Sequence, residues 1–202
     1  GKDEEEPIDK PVFNGLHDIT LNIRRGEFIV VTGSIGTGKS SLLLAMTHLM
    51  KQLSGEYRQN GELLLCGQPW VQNATIRDNI TFGSDYDEKK YKNVLDICSL
   101  RPDLKILEAG DLTEIGERGI NLSGGQKARI NLGRTVYRSA DIYLFDDILS
   151  AVDAKVGKHI MEKCIMGELK NKTRLLATHQ LNLIKDADRI IFLGTDGSLT
   201  ID

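Results

Sequence analysis

The stretch EFIVVTGSIGTGKSSLLLAM, residues 27–46, constrains the fold more than any other part of the chain. EFIVV (27–31) is continuously apolar after its glutamate, as a strand covered on both faces must be. GSIGTGKS (33–40) follows and fits G-x-x-x-x-G-K-[ST], the loop that cradles phosphates. It stands between a strand and a helix expected over about 39–50, the context that gives the motif its meaning. Gly33, Gly36 and Gly38 let backbone N–H groups turn inward on the phosphates, and the helix N-terminus adds a favourable dipole. Lys39 would reach the β- and γ-phosphates, and the Ser40 hydroxyl would ligate Mg²⁺. The candidate nucleotide-binding stretch is Gly33, Ser34, Ile35, Gly36, Thr37, Gly38, Lys39, Ser40 and Ser41.

The remaining pattern alternates strands and helices. DITLNI (18–23) alternates apolar and polar residues, which predicts an antiparallel strand with one exposed face. ELLLC (62–66), IYLFD (142–146), TRLLAT (173–178) and RIIFL (189–193) read as further strands, and GTDGS (194–198) as a hairpin turn. From about 70 to 139 the character is helical, with helices over 88–100 and after the glycines of LSGGQ. The fold class expected is α/β: a P-loop NTPase core of mainly parallel sheet with flanking helices, a small antiparallel β layer and an inserted α-helical subdomain. Residues 1–10 read as a flexible acidic linker and 11–202 as one domain. Its nucleotide-binding core is 11–69 and 140–202, with the helical subdomain over about 70–139.

The 202 residues carry a net charge of −3, which gives no reason to expect nucleic acid as a partner. No apolar run approaches the ~20 residues of a membrane span. Cys66, Cys98 and Cys164 follow no metal or disulfide spacing and read as reduced, buried small hydrophobes.

Two other stretches carry chemistry. IYLFD is a buried strand that would deliver Asp146 to the Mg²⁺, with Asp147 next to it at the position of a general base. LSGGQ, that is Leu122, Ser123, Gly124, Gly125 and Gln126, offers a hydroxyl and bare N–H groups at a helix start, a second anion cradle on one chain. One nucleotide does not need two cradles from one molecule, so this one is expected to close on a nucleotide held by another subunit.

With LSGGQ between the phosphate loop and IYLFDD, then SAVD (150–153) and His179, the chain resembles the nucleotide-binding domain of ATP-binding-cassette (ABC) transporters over about residues 11–202. The stretches PWVQNATIRDNITFG (69–83) and GERGINLSGGQKARINL (116–132) are similar to the first cassette of the multidrug-resistance-protein and cystic-fibrosis-channel subfamily. Within it, the likeness extends to fungal drug exporters of the oligomycin-resistance type. The resemblance implies MgATP as the bound nucleotide, with Ser40, Gln68 and Asp146 at the metal and Lys39, Asp147 and His179 in catalysis. Gln68 takes the Q-loop position, although only Pro69 separates it from Trp70, where two residues are usual; counting back from Trp70 would land on Gly67. SAVD matches a loop that crosses to the partner domain, and TEIGERG (113–119) one that touches the membrane domain. The resemblance further implies as partners a second nucleotide-binding domain, in a head-to-tail sandwich, and transmembrane domains. The location it implies is the cytoplasmic face of a membrane, the plasma membrane or, as the alternative, the vacuolar one. The aromatic residue that stacks adenine in the family has no clear counterpart; Phe13 lies too close to the first strand.

Asp147 departs from the usual glutamate. Its side chain is one methylene shorter, about 1.5 Å of lost reach, and a misplacement near 1 Å can cost about 10²-fold in rate. The expectation is a split role: a slow site at this chain's own phosphate loop, and an LSGGQ that completes the competent site on the partner. Two other classes stand beside an exporter's ATPase domain. One is a nucleotide-sensing regulatory domain without turnover, which Asp147 favours and His179 opposes. The other is a soluble cassette ATPase, for which basic patches or long coiled-coil insertions would be expected.

Overall fold

A computed structural model describes residues 15–116, 120–180 and 185–201. The linker over 1–10, Phe13 and residues 117–119 of TEIGERG lie outside them. In chain order the strands are β1 (Phe28–Thr32), β2 (Leu63–Cys66), β3 (Ala74–Thr75), β4 (Glu114–Ile115), β5 (Ile142–Asp146), β6 (Thr173–Ala177), β7 (Arg189–Leu193) and β8 (Leu199–Ile201). The α-helices are α1 (Lys39–Met46), α2 (Ile76–Thr81), α3 (Glu88–Ile97), α4 (Arg101–Lys105), α5 (Gly124–Arg138) and α6 (Ala154–Ile160). The fold class is the α/β P-loop core expected: a six-stranded sheet in the order β2-β5-β6-β1-β7-β8, parallel except for the edge strand β8. A two-stranded antiparallel sheet, β3-β4, is separate.

The central strands are apolar throughout because both faces are covered. Phe28 and Val30 of β1 enter one core with α2, α3, α5 and α6, whereas Ile29 and Val31 enter a second core with Leu42 and Leu43 of α1. Cys66, Cys98 and Cys164 are free and buried, and burial pushes the Cys66 thiol up to about 12. They are packing groups, as expected.

The strand expected over 18–23 is absent. Ile19, Leu21 and Ile23 do pack on the second core and their neighbours face solvent, so the alternation is real. Among the described residues the segment has no ladder partner, and Arg189 holds it by donating to the Asn22 carbonyl at 2.7 Å. The helix expected to 50 stops at Met46, because Thr47 caps it and His48 turns left-handed at φ 60°. The helix expected over 88–100 breaks likewise at Ser99 (φ 56°) and restarts as α4.

One contact joins most of the chain between β2 and β5. Arg134 of α5 is 7% exposed, and among the described residues no carboxylate pairs with it. Its Nε donates to Asn79 O (2.7 Å), and Nη1 and Nη2 both reach Trp70 O (3.2 Å each). Further bonds go to Asn131 Oδ1 and Asn79 Oδ1, each at 3.1 Å, and the guanidinium lies 3.5 Å from the centre of the Trp70 ring. Burial pushes its pKa down to about 10, so it remains a cation at neutral pH. Five bonds to neutral acceptors and an aromatic face replace the water it has lost.

Arg134→Ala leaves three acceptors unpaired in the interior and is expected to lower the unfolding free energy of this chain by about 3 kcal/mol. Arg134→Lys restores the charge but not the fork and is expected to recover less than half of the loss. Urea denaturation measures both, and a loss below about 1 kcal/mol for the alanine variant would contradict this account.

Candidate functional site

Parallel strands place their loops at one edge of the sheet, where open α/β sheets bind ligands. The phosphate loop leaves β1, Gln68 follows β2, Asp146 ends β5 and His179 follows β6. A cavity of about 320 Å³ opens there, and Ser40, Gln68, Asp146, Asp147, Ser150 and Ala151 are among the residues that line it.

The phosphate loop is preformed. Gly33, Gly36 and Gly38 have φ of 146°, 85° and 95°. At Gly33 a Cβ would stand 2.5 Å from the Leu193 carbonyl oxygen, so β7 leaves room for hydrogen alone. Thr37 is buried, and its hydroxyl donates to Ser34 O at 3.0 Å. Ile35 is 95% exposed. Lys39 folds over its own loop, donating to Gly33 O (2.9 Å) and Ser34 O (2.8 Å). Burial lowers its pKa, and the nearby Asp147 and Asp146 carboxylates act against that shift. Ser41 sits half-buried in the first turn of α1 and does not line the cavity.

Ser40, Gln68 and Asp146, the three residues expected at Mg²⁺, all line the cavity. A hydroxyl, an amide oxygen and one carboxylate are hard oxygen donors of the kind that ion takes. Among the described residues no cluster of three or more His, Cys, Asp or Glu is arranged to hold a metal. That donor set fits an ion that arrives with phosphates and keeps its waters rather than one resident in a protein cage. As for the register, Gly67 and Gln68 both line the cavity; only Gln68 has a side chain to offer a ligand, and the Gly67 carbonyl accepts from Asn131 Nδ2 at 3.2 Å.

Asp147 has a feature the sequence did not announce. Its φ is 50°, left-handed and uncommon outside glycine, although aspartate tolerates it better than most. Its N–H donates to Ala177 O at 2.9 Å, and its own carbonyl accepts from the Ser150 hydroxyl at 2.9 Å. Its Oδ1 is shielded from solvent and accepts no hydrogen bond; His179 Nδ1 stands 3.5 Å away. Two of the three candidate catalytic side chains, Asp147 and His179, are thus together, with a buried acceptor oxygen between them.

The signature stretch lies elsewhere. None of Leu122, Ser123, Gly124, Gly125 or Gln126 lines the cavity. Ser123 caps α5 through a reciprocal box: its hydroxyl accepts from Gln126 N (3.2 Å) and Gln126 Oε1 accepts from Ser123 N (2.9 Å). Asp153 of SAVD caps α6, accepting from Lys155 N and Val156 N.

The segment 69–83 is less of an apolar surface than its composition implied. Ile76 and Ile80 are core residues, 2% and 0% exposed. The exposed apolar part is an edge-to-face pair, Trp70 (43%) and Phe82 (41%), with ring centres 5.1 Å apart. Sequence reasoning missed Asn131 and Arg134, which fix this pair and the Gln68 loop to α5. The only signal was two polar residues on the inner face of an amphipathic helix.

A family model described as ABC transporter matches residues 16–150. The chain is 60% identical, over 99% of its length, to the oligomycin resistance ATP-dependent permease YOR1 of Saccharomyces cerevisiae. It is 54% identical over 88% to the multidrug resistance protein mrp-7 of Caenorhabditis elegans, and 50% over 89% to ATP-binding cassette sub-family C member 2 of Homo sapiens. The chain spans 14%, 12% and 12% of the length of these relatives.

Two of the three glycines of the phosphate loop differ in a way that melting can read. Gly33→Ala meets a backbone oxygen as well as a disfavoured φ and is expected to cost on the order of 3 kcal/mol. Gly36→Ala has open space around it and bears only the conformational cost, about 1 kcal/mol. Equal drops in Tm would contradict the close approach of β7.

Proposed function

The chain belongs to the ABC transporter family, and from that premise we propose that it is the nucleotide-binding domain of an exporter that moves drugs or organic anions. The observation that carries the reading is the convergence of Ser40, Gln68, Asp146 and Asp147 on one cavity, with His179 beside Asp147. In this reading residues 11–69 and 140–202 are the ATP-binding core, and about 70–139 is the helical subdomain. Residues 33–41 hold ATP, and Lys39 exchanges two carbonyl oxygens for phosphate oxygens, which are stronger acceptors. Ser40, Gln68 and Asp146 hold Mg²⁺, which would neutralise phosphate charge as it develops. Asp147 and His179 flank the place of the attacking water. A second cassette supplies the facing signature in a head-to-tail sandwich, and Leu122 to Gln126 of this chain do the same for the nucleotide on that cassette. Trp70 and Phe82 offer an aromatic contact to the transmembrane domains, at the cytoplasmic face of the plasma membrane.

This chain's own site is the slow one. Asp147 is short, and its left-handed backbone is held by Ala177 O and the Ser150 hydroxyl, so the loop has little freedom to carry the carboxylate forward. The same feature favours the second reading, a nucleotide sensor without turnover. The 3.5 Å approach of His179 supports slow hydrolysis over none.

Lys39→Ala is expected to weaken MgATP binding by about 1.5–3 kcal/mol, the worth of a hydrogen bond to a charged group. Unchanged affinity in a calorimetric titration would remove the phosphate-loop assignment.

The carboxylates give the sharper experiment. Asp146→Asn should weaken Mg²⁺-dependent nucleotide binding. Asp147→Asn should leave binding intact and barely change turnover of the whole transporter, and Asp147→Glu should raise hydrolysis at this site. Near-complete loss of ATPase activity in Asp147→Asn with ATP still bound would make Asp147 a working general base and end the slow-site reading. No hydrolysis in any variant would favour the sensor.

A further inference from the structure

Asp103, a residue of α4 outside every motif, touches the signature at one remove. Its Oδ1 accepts from Gln126 Nε2 at 3.0 Å. Its carboxylate also pairs with Arg129, the two side chains being only 19% and 12% exposed. Arg129 in turn donates to Gly125 O at 3.1 Å and to Ser99 O. We propose that Asp103 is a positioning residue for the Ser123 hydroxyl, acting by fixing which way the Gln126 amide points. The proposal rests on the reading that this signature grips the terminal phosphate of a nucleotide held by the partner cassette.

The argument is one of donors and acceptors. Gln126 spends its oxygen on Ser123 N and its nitrogen on Asp103. A flipped amide would set N–H against N–H at Ser123 and oxygen against carboxylate at Asp103. With Asp103 present only one orientation has both ends satisfied. In that orientation the capping box closes and the Ser123 oxygen accepts from Gln126 N, which leaves its hydroxyl proton free to be donated to a ligand. Among the described residues a Cβ on Gly124 would meet nothing within 4 Å, whereas one on Gly125 would meet Ala151 O at 2.8 Å, so the helix start is open beside Gly124 and closed beside Gly125. A hydroxyl proton, bare N–H groups and an open approach on one side form an anion contact whose aim is set by Asp103. Arg129 holds the carboxylate in place and restrains the Gly125 carbonyl on the far side.

The test is a double-mutant cycle in the full-length transporter that contains this cassette, read as kcat/KM for ATP and as the melting temperature of the same purified protein. Asp103→Ala is expected to lower kcat/KM about tenfold, the weight of a lost hydrogen bond to a charged group. In a Gln126→Ala background the same substitution is expected to change kcat/KM no further, while still lowering the melting temperature because Arg129 has lost its partner. Should Asp103→Ala not fold, Asp103→Asn keeps an acceptor for Arg129 and turns an N–H toward Gln126, so the same kinetic fall is expected. An equal fall with and without Gln126 would reduce Asp103 to a structural residue and overturn the proposal, as would unchanged kcat/KM in both Asp103 variants. Ser123→Ala separates the two levels. If it impairs hydrolysis and the Asp103 variants do not, only the positioning role fails. If it has no effect, the signature reading itself fails and takes the positioning role with it.

Discussion

A cation buried without a counter-ion organises the middle of this chain. Arg134 is charged, 7% exposed and surrounded by neutral groups, a placement that desolvation strongly opposes. It persists because the backbone around it was routed to supply acceptors: Trp70 O takes two of its bonds and Asn79 O a third. Backbone acceptors tie the interaction to the path of the chain more than to the identity of the neighbours. The loop after β2, the end of α2 and the body of α5 therefore hold a fixed relation. Gln68, Phe82 and Ser123 sit on those three stretches, so displacing any one of them costs acceptor bonds at Arg134.

The fold was legible where burial is two-sided. Ile142–Asp146 and Arg189–Leu193 match the expected strands because a strand between two layers is apolar along its length, and few other elements are. It was less legible where burial is one-sided. Ile19, Leu21 and Ile23 carry the signature of a strand, yet periodicity reports which side chains face in, not whether a partner accepts the backbone bonds. Helix ends were misjudged at His48 and Ser99 for a related reason: neither is glycine, and their left-handed φ values are imposed by the packing around them.

The site divides along the same line. Gly33 to Ser40 could be read directly, since a loop that presents backbone to phosphate needs glycine at fixed places. Asp146 and Asp147 could be named from their strand, but the φ of 50° at Asp147 could not, and that angle sets what the carboxylate can reach. Residues that hold others in place left almost no trace. Asn131, Arg134, Asp103 and Arg129 are ordinary polar positions in helical patterns, and most of their side-chain partners lie 23 to 65 residues away in the chain. A motif records the groups that touch a ligand, because chemistry fixes those types; the groups that aim them answer only to local geometry.

The two anion cradles are held in opposite ways, and the difference fits the tasks proposed for them. In the phosphate loop the cation is part of the cradle: Lys39 rests on Gly33 O and Ser34 O, and an arriving phosphate displaces neutral acceptors with charged ones. That arrangement favours capture, since the ligand supplies what the loop lacks. At the signature the cation bonded to it, Arg129, is held inward. Arg129 is spent on Asp103, Ser99 O and Gly125 O, and the signature stretch itself offers a ligand one hydroxyl and bare N–H groups. Such a surface gains little from a free nucleotide in water, where water competes well for neutral donors. Its contacts become worth more when a second body closes over it and excludes that water. A cradle that is weak when open and stronger when closed suits a nucleotide already bound elsewhere, which is the arrangement proposed here for the partner cassette.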